Sequence, residues 1–340
     1  MAYVYETSDF KVGEASYNKG RNSQEAPEVG CTVFCYDKPV RCVLDKLGGA
    51  VGTYYGDKVD VFSDEPKKNN MVDAVCFAGG SLNGLSAIGG VAEGLAKENI
   101  EKGNKYSVKD EDEDEDDDED DDKGMYKIPV VRGAITFSGA WGKVRAWKPP
   151  DSALGRQALH NAVGPKVSLG QHGAGCNAEV GSILRNSEED AYGASGGQGA
   201  YCETNKDGVY CAVYCNLNSK GAIYENGKLL YGPSSESDRT GNAFRSTNVL
   251  IHTNAKCKSM DLMRQLARQV HVSIARVIHP YSAHSDGDVL FLTSSETTEV
   301  EDTTDVGLFF SSCLRKAVHS VAYHHLSVVP RELLPRELLL

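Results

Sequence analysis

The chain lacks the features that mark several large classes of protein. No stretch approaches the roughly 18 apolar residues of a membrane-spanning helix, and the opening "MAYVYETSDFKVGEASYNKG" has no apolar segment of the secretory kind. No Asn-x-Ser/Thr glycosylation site occurs. Cys-x-x-Cys pairs and Cys/His knuckles are absent, so the ten cysteines in 340 residues have neither the spacing of a zinc site nor the density of a disulfide scaffold. They read as free, buried thiols in a cytosolic protein. A basic stripe is missing too, which argues against nucleic acid as a partner.

The net charge of −12 has one source. Residues 110–122, "DEDEDEDDDEDDD", hold 13 acidic side chains, and without them 35 acidic residues face 36 basic ones. Like charge at that density cannot pack, so residues 109–123 are expected to form a solvated, disordered insertion. The closing "PRELLPRELLL" is a short tandem repeat with no role assigned to it.

Apolar runs bounded by glycine predict strands at 31–36, 72–78, 128–137, 209–215, 222–225, 248–253 and 289–293. The helix signals are fewer and clear. "SLNGLSAIGGVAEGLAKEN" follows Gly79-Gly80 with Ser81 as its cap, and "SALGRQALHNAV" follows Pro-Pro-Asp. "SMDLMRQLARQVHVSIARVI" is capped by Ser259 and carries Met263, Leu266, Val270, Ile274 and Val277 as one stripe before Pro280. "GLFFSSCLRKAVHSVAYHHL" is the last. Helices around a run of strands predict helix layers on sheet, in a single domain over 1–340.

Three motifs carry candidate chemistry. "GASGG" at 193–197 has the letters of a nucleophile elbow, but "RNSEED" and "QGAYCE" around it do not read as strand and helix, so a glycine turn is the better reading. "AGGSLNG" at 78–84 supports close backbone packing, or an anion held weakly at a helix start. "HPYSAHSDGD" at 279–288 leaves open a metal site, a polar turn, or a pair of catalytic carboxylates, Asp286 and Asp288. Finally, "GNAFRSTNVLIHTN" at 241–254 passes from polar loop to buried strand through two hydroxyls, Ser246 and Thr247.

The segments "STNVLIHTN", "LARQVHVSIARVIHP" and "SDGDVLF", with "LGGAVGTYYG", "CFAGGSLNGL", "ALGRQAL", "GQHGAGCNAEVG" and "CAVYCN" upstream, together resemble the D-aminopeptidase/β-aminopeptidase family. Within it they look most like the nylon-oligomer (6-aminohexanoate-oligomer) hydrolases. The similarity covers most of residues 30–300, broken by the acidic insertion. It implies a four-layer αββα sandwich of N-terminal-nucleophile-like type. It also implies a self-cleaving amide hydrolase, an aminopeptidase or amidase, cut between Arg245 and Ser246 into subunits 1–245 and 246–340.

Ser246 would then be the nucleophile, with Thr247 the neighbouring candidate. Asn216 would serve the oxyanion, while Asp286 and Asp288 would orient the new amine and the hydroxyl. The resemblance further implies no cofactor, a small amide or peptide substrate, and a homotetramer. Two substrate-side positions depart: the family's active-site tyrosine falls at Phe137, and a lysine of the nylon hydrolases falls at Ser182. The alternatives are an acyltransferase using the same acyl-Ser246, and an unprocessed, non-catalytic binding protein.

Overall fold

The computed structural model describes residues 1–18, 27–56, 70–104, 126–138, 148–182, 193–233 and 244–328. Nine strands there form one hydrogen-bonded path: β1 (Phe10–Asn18), β2 (Pro27–Lys46), β3 (Thr53–Tyr54), β4 (Met71–Ala78), β5 (Val131–Ile135), β6 (Gly197–Thr204), β7 (Tyr210–Asn218), β8 (Ser246–Lys256) and β9 (Val289–Glu299). Their order is β6-β7-β8-β9-β2-β4-β5-β3, with β1 also on β2. The 20-residue β2 turns this path into two layers. Its first half lies between β1 and β4, while Arg41–Lys46 pairs with β9. The register against β4 shifts between Cys35 and Val40, where the strand passes from one sheet to the other.

Side-chain alternation then sorts three apolar layers. Val249 and Ile251 of β8, with Val213 of β7 and Leu290 of β9, meet α3 (Met260–Val272) and α4 (Thr303–Val328). The intervening Leu250, Tyr214 and Phe291 face Phe34 and Phe77 of the second sheet. That sheet turns Val33 and Cys76 outward onto Ile88 of α1 (Gly84–Glu101) and Leu154 of α2 (Ser152–His160). The layers run α-β-β-α. Phe77 stacks on Tyr214 at 5.3 Å and Phe34 meets it edge-on at 5.0 Å, each pair worth about 0.5–1.5 kcal/mol beyond its burial.

Two helix expectations need revision. Ser81 caps no helix: it sits at φ 60 in a short 3-10 turn, Ser81–Asn83, and α1 begins only at Gly84. The turn is made by Gly80 at φ 84, a conformation that glycine adopts at no steric cost. The helix capped by Ser259 stops at Val272 rather than near Pro280, and continues as the 3-10 turn Ser273–Arg276 and the short strand Ile278–His279. Ile274 and Val277 nevertheless stay in the same apolar layer. "GASGG" leads from the two-residue strand Ala194–Ser195 straight into β6, so no elbow forms. The cysteines are free, and Cys211 and Cys215 share the helix-facing side of β7. Among the described residues no helix is long and apolar enough to cross a membrane. The acidic insertion 109–123, the terminal repeat and most of the loop before Arg245 lie outside the described residues.

Candidate active site

Ser246 opens β8 and is completely buried. The alternation of β8 sends Ser246, Asn248 and Leu250 between the sheets and Thr247 toward the helix layer with Val249. The Ser246 Oγ accepts the Phe137 N–H at 3.2 Å, just past the end of β5 in the opposite sheet. Asn248 Nδ2 holds the same segment, donating to Ile135 O and Thr136 Oγ1, both at 3.1 Å. The two hydroxyls that are neighbours in sequence therefore face different layers.

Register decides which asparagine stands beside Ser246. Antiparallel pairing sets Asn218 opposite Ser246 and Asn216 opposite Asn248. Asn216 commits both amide hydrogens, to Thr136 Oγ1 at 2.7 Å and Ala174 O at 2.8 Å. Asn218 Oδ1 accepts the Glu179 N–H at 2.9 Å, and its Nδ2, also buried, has no acceptor among the described residues. A buried amide donor without an acceptor costs about 1–3 kcal/mol. Sequence reasoning named Asn216 alone, because neither residue type nor spacing states the register that sets Asn218 opposite Ser246.

Arg245, on the other side of the expected cut, runs parallel to the Asp286 segment. Its N–H donates to Ser285 O at 3.1 Å and its carbonyl accepts the Gly287 N–H at 2.7 Å. Its guanidinium pairs with Glu179 at 2.6 Å. Asp286 and Asp288 flank Gly287, both buried. Asp288 accepts the Thr247 N–H at 2.7 Å and the Ser282 N–H at 3.0 Å, and Asp286 accepts the Ala283 N–H at 3.0 Å. The "LGGA" turn after β2 clamps this loop, with Ala50 N–H donating to Asp286 O at 2.8 Å. A Cβ on Gly48 would fall 2.2 Å from that same oxygen, so the approach requires glycine.

Burial pushes both carboxyls above the usual carboxylate range, and at Asp288 the neighbouring Asp286 adds to the rise. The positive charges of Lys220 and Arg245 oppose it at Asp286. Lys220, itself buried, donates to Ser285 Oγ. It lies in the turn after β7, and nothing in "NLNSKGAI" announced it. Phe137 reaches the site through its backbone, and its ring stacks on Phe244 at 5.4 Å. Ser182 is buried, but among the described residues no hydrogen bond joins it to Ser246 or the acid pair. Among the described residues the bonds to the two carboxyls come from backbone N–H groups and not from His279 or His284.

A buried hydroxyl bonded to a backbone N–H, a neighbouring carbonyl held by an amide N–H, an uncommitted amide donor and carboxyls shifted toward neutrality are groups that acyl transfer can use. Residues 66–330 match the model of Peptidase family S58. The chain belongs to that family. As a member it is a hydrolase of peptide or amide bonds. It is 26% identical over 313 residues to a 6-aminohexanoate-oligomer endohydrolase of Paenarthrobacter ureafaciens, covering 86% of this chain and 74% of that protein. It is 25% identical over 315 residues to an uncharacterized aminopeptidase of Mycobacterium tuberculosis, covering 81% and 80%. In fold it matches a Burkholderia β-aminopeptidase with a TM-score of 0.65 at 14% identity, over 94% of this chain and 88% of that one. The L-aminopeptidase D-Ala-esterase/amidase of Ochrobactrum anthropi, described as a variant of the Ntn hydrolase fold, matches with a TM-score of 0.61 at 17% identity, over 93% and 84%. The αββα layers expected from the family resemblance are therefore those of the Ntn hydrolase fold.

Proposed function

We propose that this S58 chain is a self-cleaving amidase or aminopeptidase whose nucleophile is Ser246. The observation that carries the reading is the pairing of Ser246 Oγ with the Phe137 N–H at 3.2 Å while the adjoining Arg245 carbonyl is held by Gly287 N–H at 2.7 Å. In the precursor the hydroxyl attacks the Arg245 carbonyl carbon. The C–N bond to Ser246 breaks, an ester forms, the proton passes to the departing nitrogen, and water opens the ester. Gly287 N–H already polarises the carbonyl, and the uncommitted Nδ2 of Asn218 fits the developing oxyanion better than the fully engaged Asn216.

After cleavage the α-amine of Ser246 becomes the base for its own hydroxyl, since an unperturbed α-amine has a pKa of about 7.7–8.0 and is partly neutral at physiological pH. Asp288 fixes the strand entrance through the Thr247 N–H, and Asp286 holds the loop that carries Gly287. The substrate is a small amide or peptide, of the general kind named for the bacterial aminopeptidase and oligomer-hydrolase relatives.

Intact mass and N-terminal sequencing of freshly purified protein test this directly. Two fragments are expected, the smaller beginning at Ser246. A first residue of Thr247 would move the nucleophile by one position and onto the wrong face of β8. An uncut chain that still hydrolyses amides would sink the mechanism.

A further inference from the structure

We propose that the acyl-binding pocket beside Ser246 accepts a cationic side group, with Glu179 as its counter-charge. The inference rests on the reading of Ser246 as the nucleophile. In self-cleavage the acyl group carried by Ser246 is Arg245 itself. A later substrate must present its carbonyl to the same oxygen and the same amide donors, so the group on its acyl carbon leaves in the direction that the Arg245 side chain takes in the precursor. That side chain runs to Glu179: Nη2 and Oε2 lie 2.6 Å apart, with only 12% and 19% of the two side chains exposed.

Glu179 does not hang from a free loop. Its N–H is bonded to Asn218 Oδ1 at 2.9 Å, and the Glu179–Val180 strand pairs with Ala194–Ser195. Once the new chain end carrying Arg245 withdraws, a largely buried carboxylate remains without that cation, a state that penalises neutral and anionic groups and favours a positive one. The other ionisable groups facing the site do not fill this role. Lys220 is bonded to Ser285 beside Asp286, and Asp286 and Asp288 are carboxyls that supply no positive charge.

Turnover needs no further reagent: the substrate C–N bond breaks, the ester to Ser246 Oγ forms, the leaving amine takes the proton, and water restores the hydroxyl. Two acyl classes place a cation at an arginine's reach from the carbonyl. One is a basic α-aminoacyl group. The other is a linear ω-aminoacyl group ending in an ammonium.

The test compares kcat/KM of the self-cleaved protein for the p-nitroanilides of lysine and norleucine, and of 6-aminohexanoic and hexanoic acid. Each pair differs in its charge at similar length. A preference of roughly ten- to a hundredfold for the charged member is expected, and the pair that shows it assigns the source. The ratio should collapse in Glu179→Gln; if that variant does not self-cleave, the wild-type ratios still decide. Ratios near one in both pairs would overturn the cationic pocket while leaving Ser246 as nucleophile. If no anilide is turned over, N-terminal sequencing still decides the Ser246 reading, and calorimetry with lysinamide against norleucinamide and 6-aminohexanamide against hexanamide decides the pocket, equal affinities within both pairs overturning it.

Discussion

At one end of β8 stands Ser246; further along the same face of the same strand stands His252, buried between the sheets. Both ends gather polar side chains from several strands, but they finish the job differently. Around His252 the bonding closes. One ring nitrogen meets Thr293 Oγ1 at 3.0 Å and the other meets Asp9 at 3.2 Å, while Tyr210 and Ser295 also donate to Asp9, and Tyr36 joins Thr293 at 2.9 Å. Around Ser246 it stays open: Asn218 Nδ2, Asn216 Oδ1, Asn248 Oδ1 and Asp286 Oδ1 are buried without partners among the described residues. A closed network rigidifies a core, whereas an open one stores donors and acceptors for charge that appears only during a reaction. The same strand thus carries one closed polar cluster and one open one, and the open one is where we propose the chemistry.

The sharpest way to break this contrast is Ser246→Ala. Self-cleavage and amide hydrolysis should fall together by at least about a thousandfold, leaving a single chain of 36.7 kDa in mass spectrometry. Residual turnover near the wild-type rate would relocate the nucleophile.

Next in size, Asn218→Ala should slow both processes by about 10²–10³, the effect of losing one oxyanion donor. Asn216→Ala should act mainly on stability, because its amide ties Thr136 to Ala174. Single-turnover rates and urea midpoints measured on the two variants would separate these roles, and a reversed pattern would return the oxyanion to Asn216.

The smallest effect belongs to the other end. His252→Ala should cost about 2 kcal/mol of stability, read as a shifted urea midpoint, with self-cleavage retained. The two ends should also answer pH in opposite senses. Burial holds the His252 imidazole below its ordinary range against the pull of Asp9. The unfolded chain therefore takes up a proton first, and stability falls as pH drops below about 6.5. The carboxyls of Asp286 and Asp288 are raised. The folded chain keeps their protons longer, so stability falls as pH climbs from about 4 toward neutrality, by about 1.4 kcal/mol per unit of displacement. Asp288→Asn should reduce the second limb to the share that Asp286 carries and leave the first. A second limb undiminished in Asp288→Asn would place the titrating group elsewhere.

Much of this was legible in the chain itself. The change from polar loop to apolar strand at Ser246 is a local property of "FRSTNVLI", and the acid pair was visible as "SDGD". The α3 start could be read because capping and apolar spacing act within one turn. Ser81 shows the limit of such signals: a good capping residue sits in a turn because Gly80 sets the backbone path ahead of it.

The alternation of the buried strand and the carboxyls near it could be read from the residues alone, because side-chain direction along a strand repeats every second residue and needs no partner. That Asn218 rather than Asn216 stands opposite Ser246, that Lys220 reaches Ser285 and that Glu179 receives Arg245 came only with the folded chain. Those facts depend on register between strands far apart in the chain, where a slip of one residue would turn every side chain to the other face.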